Sequence, residues 1–254
     1  MIKIYSALVL LTACVGFNNT AKSQVFNLLK DINTTVGTQS SNPASFAATG
    51  TVVYFIATTV TEGEELWKSD GTAVGSVFVK DIYAGINGST PQYLTNVNGV
   101  LYFTADNAFN GRELWKSDGT ATGTVLVKDI YTGTNSSNPQ SLINVNGVLY
   151  FVANDPTNGY ELWKSDGTAA GTVLVKDIYA GAGGFVQLLT NVNGVLYFTA
   201  ADAINGQELW KSDGTAAGTV LEKDIVAGGG SSTDRKSTRL NSSHPQQSRM
   251  PSSA

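Results

Sequence analysis

Histidine and cysteine are almost absent from this chain: one of each in 254 residues, His244 and Cys14. Both stand in end segments that differ in composition from the rest. The body therefore has no imidazole or thiolate for nucleophilic catalysis, and it cannot build a Cys/His metal set or a disulfide framework. Arginine is scarce as well. Of the 16 basic residues, Lys3, Lys22, Arg235, Lys236, Arg239 and Arg249 lie in the end segments, whereas only Asp234 of the 20 acidic ones does. Residues 24–233 are left with 10 basic and 19 acidic groups, a net charge of −9, and Arg112 as their one arginine. Such a body excludes nucleic acid and anionic membrane surfaces as partners. A helical hydrophobic period is missing throughout.

The ends read as processing and non-native segments. Lys3, the apolar run Ile4–Phe17 and the stretch closing Ala21-Lys22-Ser23 predict a signal peptide over 1–23, cleaved before Gln24. The run is short for a transmembrane helix. Leu11-Thr12-Ala13-Cys14 offers the alternative of a lipid anchor at Cys14. Residues 234–254 are basic and serine-rich, unlike anything upstream, and read in frame as a translated short-read sequencing adapter. The expected organisation is a signal peptide (1–23), an N-terminal orphan strand and linker (24–44), four repeats (45–233) and an artefactual tail (234–254), with the native C-terminus missing.

What is abundant is repetition. The nonapeptide ELWKSDGTA begins at Glu65, Glu113, Glu161 and Glu208. Its tryptophans, Trp67, Trp115, Trp163 and Trp210, recur about every 48 residues. Each is followed by a turn dipeptide: Asp70-Gly71, Asp118-Gly119, Asp166-Gly167 and Asp213-Gly214. A Lys-Asp-Ile marker recurs with Asp31, Asp81, Asp129, Asp177 and Asp224, and NVNGVLYF starts at Asn96, Asn144 and Asn191. One repeat parses into four strands. The run Tyr93–Val97 meets Asn98-Gly99, a type I′ hairpin signal. Val100–Ala105 is apolar on both faces, as a strand covered on both sides requires. The loop Asp106–Gly111 leads to Arg112–Ser117, Asp118-Gly119 turns the chain, and Thr124–Ile130 runs out. In the third strand Glu113, Trp115 and Ser117 share one face, Leu114 and Lys116 the other.

Four antiparallel strands in such a repeat make one propeller blade. A β-solenoid needs one rung per repeat, and β-sandwich domains need about 100 residues each. The expected fold is an all-β, propeller-like array with blades near 45–82, 91–130, 139–178 and 186–225. The surplus strand, Asn27–Ile32, is the outer strand of a further blade. An array left open is expected to expose two blade faces.

ELWKSDGT followed by AAGTVLVKDI resembles the ELWxxDGT repeat of secreted and surface proteins of Bacteroidetes and some other bacteria. The resemblance covers nearly all of 27–228. It implies an exported, repetitive, propeller-like protein, and it brings no catalytic residues with it.

Three sets of polar residues invite chemistry. In DNAFNGRE, Asp106, Asn110, Gly111 and Glu113 carry part of a calcium-loop pattern. The first position becomes Thr58, Asn154 and Ala201 in the other copies, so a hairpin loop is the simpler reading. Asp118 and Asp129 recur in every repeat, which suits a turn and a strand end better than an asymmetric catalytic pair. Glu62, Glu64 and Glu65 form the one unrepeated acidic cluster, read as a solvated loop. The leading expectation is thus a non-catalytic extracellular scaffold for binding or adhesion, with no cofactor. A lectin-like, carbohydrate-binding propeller is second, and a carboxylate-dependent, glycan-active enzyme third. The expected partner is an extracellular protein or glycan.

Overall fold

A computed structural model describes residues 28–33 and 40–225. The expected leader, Cys14 and the segment 234–254 lie outside the described residues. These form sixteen strands and no helix. β1 (Ala44–Thr49), β2 (Val52–Thr59), β3 (Gly63–Ser69) and β4 (Val77–Lys80) make the first blade. β5 (Gln92–Val97), β6 (Val100–Asn107), β7 (Gly111–Ser117) and β8 (Val125–Lys128) make the second. β9 (Gln140–Val145), β10 (Val148–Asp155), β11 (Gly159–Ser165) and β12 (Val173–Lys176) make the third, and β13 (Gln187–Val192), β14 (Val195–Asp202), β15 (Gly206–Ser212) and β16 (Val220–Lys223) the fourth. Each blade is an antiparallel meander in chain order. The fold is an all-β, propeller-like array of four-stranded blades.

Blades stack by two repeated faces. One face of the second blade carries Tyr102, Leu114, Val127 and Ile130. The facing surface of the third carries Leu149, Phe151, Ala153 and Trp163, and the two close into one core. The same sets meet between the first and second blades and between the third and fourth. Trp115 pairs across strands with Phe103 and with Leu126. Lys128 and Lys176 lie over the rings of Trp163 and Trp210, 5.9 and 5.7 Å from their centroids.

The inner strands stand side by side, β1 beside β5, β5 beside β9 and β9 beside β13. The first asparagine of NVNG stitches them together. Asn96 Nδ2 donates to Ala48 O (2.8 Å), Asn144 Nδ2 to Asn96 O (3.2 Å) and Asn191 Nδ2 to Asn144 O (3.1 Å). The outer edges are tied by lysine. Lys80, Lys128 and Lys176 Nζ donate to Thr124, Thr172 and Thr219 O of the following blade at 2.7–2.8 Å.

The two ends of the array differ, which corrects the expectation of two exposed blade faces. On the first blade, Phe55, Ala57 and Trp67 are buried, and Ile32 packs against them. Lys30 Nζ donates to Ser76 O at 2.6 Å, in the manner of Lys80, Lys128 and Lys176. Residues 28–32 thus lie where the outer strand of a preceding blade belongs. On the fourth blade the outward face is more exposed: Val192 is 46% exposed where Val97 and Val145 are 5%.

Candidate functional site

Antiparallel order sends the loops of every blade to two ends. One end carries the hairpin between first and second strands and the Asp-Gly turn between third and fourth. The other carries the loop between second and third strands and the connection to the next blade.

The Asp-Gly end is built alike four times. In the second blade Thr120 N and Oγ1 donate to Asp118 Oδ1 at 2.8 and 2.7 Å, Gly119 N to Ser117 Oγ at 2.9 Å, and Gly123 N to Thr120 Oγ1 at 2.9 Å. Asp70, Asp166 and Asp213 hold Thr72, Thr168 and Thr215 in the same way. These hydrogen bonds pull each aspartate below its ordinary pKa. Gly119 takes φ +87°, and a Cβ on Gly123 would stand 2.1 Å from Asp118 Oδ1. Gly71, Gly167 and Gly214 adopt the same left-handed backbone. The repeated aspartates are turn organisers, each bound to its own loop.

Sequence reasoning missed the role of the glutamate that opens ELW. Glu65, Glu113, Glu161 and Glu208 are all 0% exposed. Glu65 therefore does not belong to a solvated cluster with Glu62 and Glu64. Glu113 accepts from the backbone N of Ile130 (3.1 Å), Tyr131 (3.3 Å) and Ser137 (2.8 Å), and from the Ser137 hydroxyl. Glu65 gathers Tyr83 N, Ser89 N and Ser89 Oγ at 3.0, 2.9 and 2.5 Å. Burial outweighs these bonds and raises Glu65, Glu113 and Glu161 from 4.5 to about 7. In the third blade Gly184 stands where the first two have Ser89 and Ser137, and Glu161 Oε2 has no hydrogen-bond partner among the described residues. The shared cue was the letter-for-letter repetition of this glutamate beside tryptophan.

The calcium pattern does not assemble. The loop is held by the residue after Asp106: Asn107 Oδ1 accepts from Phe109 N (2.9 Å) and Asn110 N (2.7 Å). Asp155 and Asp202 do the same in later blades. Asn110 Nδ2 turns to Asp129 Oδ2 at 2.9 Å, and Asp129 also accepts from Gly133 N at 3.1 Å. Asp129 is thus a cap for the following turn. Among the described residues no group of three or more His, Cys, Asp or Glu is placed to hold a metal ion.

The loop end is where near-identical repeats diverge. At the start of the third strand stand Glu64, Arg112, Tyr160 and Gln207. At the second residue of the inner strand stand Ser45, Tyr93, Ser141 and Leu188. The backbone is nevertheless the same each time: these four take φ of +54° to +56° beside a register shift. Three residues earlier Asn42, Thr90, Asn138 and Phe185 are also left-handed, at φ +42° to +48°. Each such non-glycine residue costs about 1–3 kcal/mol, and strain of this kind gathers at ligand sites. Tyr93, Phe185 and Leu188 are 46%, 59% and 71% exposed.

Arg112 is set into this end. Its Nη1 donates to Thr90 O (2.9 Å) and Thr104 Oγ1 (3.4 Å), and Nη2 donates to Thr90 Oγ1. Gln207 Nε2 reaches Thr199 Oγ1 at 3.3 Å in the corresponding place. Burial lowers the Arg112 pKa against the opposing pull of Asp106, Glu64 and Tyr93. The loop end therefore offers a cation, carboxylates, amide groups and exposed aromatic rings on one rigid scaffold.

No family model and no curated protein matches the chain. Solved structures do. A protein of Bacteroides ovatus, Xyloglucan PUL GH43B, is 18% identical at a TM-score of 0.33 and covers 67% of this chain and 38% of its own. A puromycin hydrolase S511A mutant complexed with PGG is 15% identical at 0.42, covering 72% and 39%. An endo-1,4-β-xylanase of Bacteroides thetaiotaomicron is 15% identical at 0.34, covering 71% of each chain. The chain thus spans under two-fifths of the first two. The expectation of a non-catalytic fold is corrected to this extent: the solved structures that the chain is similar to include a puromycin hydrolase and an endo-1,4-β-xylanase. At such identities and TM-scores the likeness concerns architecture and transfers no activity.

Proposed function

We propose that this chain is an exported protein of the ELWxxDGT-repeat type that binds glycan at the loop end of its blades. One observation supports the reading above the others. Repeats that are nearly identical in core and Asp-Gly turns differ at Glu64/Arg112/Tyr160/Gln207 and Ser45/Tyr93/Ser141/Leu188, on a backbone that stays strained and unchanged. A symmetric scaffold carries an asymmetric set of side chains, as discrimination of one ligand requires. The set suits a neutral saccharide. Tyr93 and Tyr160 offer ring faces to the C–H side of a sugar, while Arg112, Gln207 and Glu64 supply donors and acceptors for hydroxyls. The acidic body disfavours polyanions.

A glycan array probed with the full chain tests this. Saturable binding of neutral oligosaccharides is expected. Tyr93→Ala and Arg112→Ala should each weaken it about tenfold, while Val74→Ala, at the Asp-Gly end, should leave it unchanged. Silence across the array, or equal loss in all three variants, overturns the proposal. Product analysis of the same mixtures reads out hydrolysis.

A further inference from the structure

The outward face of the fourth blade and residues 28–32 beside the first each carry features of the repeated blade interface. Each interior interface joins a Tyr-Leu-Val face to a Leu-Phe-Ala-Trp face. The fourth blade presents the first kind with none of the described residues packed over it: Tyr197 and Leu209 are half-buried where Tyr102 and Leu114 are buried. Val192 and Val195 are 46% and 38% exposed. Among the described residues its Lys211 donates to no neighbouring blade, whereas Lys116 and Lys164 Nζ reach Gly167 O and Gly214 O at 2.9 Å. Lys211 instead pairs with Glu222 at 2.6 Å. Glu222 replaces the valine that is buried as Val79, Val127 and Val175.

At the other end, residues 28–32 hold the place of an outer strand but belong to none of the four sheets. Lys30 Nζ makes the outer-strand bond to Ser76 O. A cavity of about 180 Å³ remains beside Trp67, lined also by Ile32, Phe78 and Glu62. Residues 28–32 thus hold an outer-strand position with no strand pairing among the described residues.

We propose that the fourth blade's outward face and residues 28–32 together form a docking site for a three-stranded β-meander of this chain's own repeat type, lacking its outer strand. The meander's Leu-Phe-Ala-Trp face packs on Tyr197, Leu209 and Val192. Its third strand pairs with residues 28–32, which become its fourth. Lys211 exchanges Glu222 for a carbonyl of the incoming Asp-Gly turn. Backbone pairing supplies affinity, and the repeated face supplies register. This inference is independent of the glycan reading.

The probe is a labelled synthetic peptide of residues 91–123, which carries β5–β7 and the Asp118-Gly119 turn without β8, titrated into the full chain. Saturable one-to-one binding is expected, with none for a scrambled peptide. Leu209→Asp should weaken it by about tenfold or more and Glu222→Val should tighten it. No saturable binding, equal binding of the scrambled peptide, or unchanged affinity for Leu209→Asp overturns the proposal. If Leu209→Asp loses its near-ultraviolet tryptophan signal, Glu222→Val decides, and affinity equal to wild type overturns it. Sedimentation of the full chain alone separates a second occupant: a stable dimer abolished by Leu209→Asp assigns the face to self-association and overturns it too.

Discussion

Glu113 shows how one buried residue organises a blade junction. It collects hydrogen bonds from both ends of the connection to the third blade, Ile130–Tyr131 and Ser137. A buried carboxylate without such donors would cost several kcal/mol. Glu113→Gln puts an amide where two acceptor oxygens are needed and should destabilise by about 1–3 kcal/mol. Glu161→Gln should cost less, because Glu161 Oε2 already lacks a partner. Denaturant melts of the two variants compare them, and equal losses would contradict the assigned role. The pH dependence follows from the raised pKa. Between 4.5 and about 7 the folded chain holds protons that the unfolded chain has released. The contribution of Glu65, Glu113 and Glu161 to stability is therefore greatest below this window and is lost as pH rises through it. The turn aspartates act the other way, favouring the fold until pH falls below their ordinary range. The melting temperature should fall from pH 5 to pH 8, and fall less in Glu113→Gln.

The decisive element is the ELWKSDGTA strand with its turn. Its alternation places Trp115 in the interface with the first blade and Leu114 in the interface with the third, so one strand serves two cores. Trp115→Ala should cost about 3–5 kcal/mol and loosen both neighbours, since stacked repeats are stabilised by nearest-neighbour contacts. Asp106→Ala should change stability little, because Asn107 and not Asp106 closes that loop. Similar melting shifts for both variants would speak against the interface assignment. Gly123→Ala should unfold the Asp-Gly turn locally, as its Cβ would collide with the Asp118 carboxylate. Amide exchange at Thr120 and Thr124 reports this, and unchanged protection would refute it.

Across the whole molecule, order passes from blade to blade along the asparagine stitches, the lysine ties and the paired apolar faces. Residues 28–32 protect one end of this series, and at the other Val192 and Val195 are exposed. Ile32→Asp should therefore lower the melting temperature and expose Trp67 to quenching, while leaving Trp210 unaffected. Per-tryptophan fluorescence in single-tryptophan backgrounds measures the difference. Equal quenching at both positions would mean that residues 28–32 do not cap the first blade.

The amino-acid sequence by itself determined the all-β class, the four-strand repeat and the partition of the third strand into two faces. These are local properties: turn residues with positive φ, side chains alternating with period two, and a repeat too short to bury its own apolar surface. It also revealed a surplus Lys-Asp-Ile segment, which the structure leaves outside every sheet. Only the tertiary structure decided the rest. Glu113 reads as a surface charge until residues 17–24 positions further on bring their N–H groups around it. Residues 28–32 find their place 46 residues from Ser76. The variable positions 45/93/141/188 and 64/112/160/207 are scattered along the chain and share one end only once strand direction is set. Local chemistry chooses turns and strands, whereas burial of charge, capping of a free face and the gathering of distant side chains depend on which blade lies beside which.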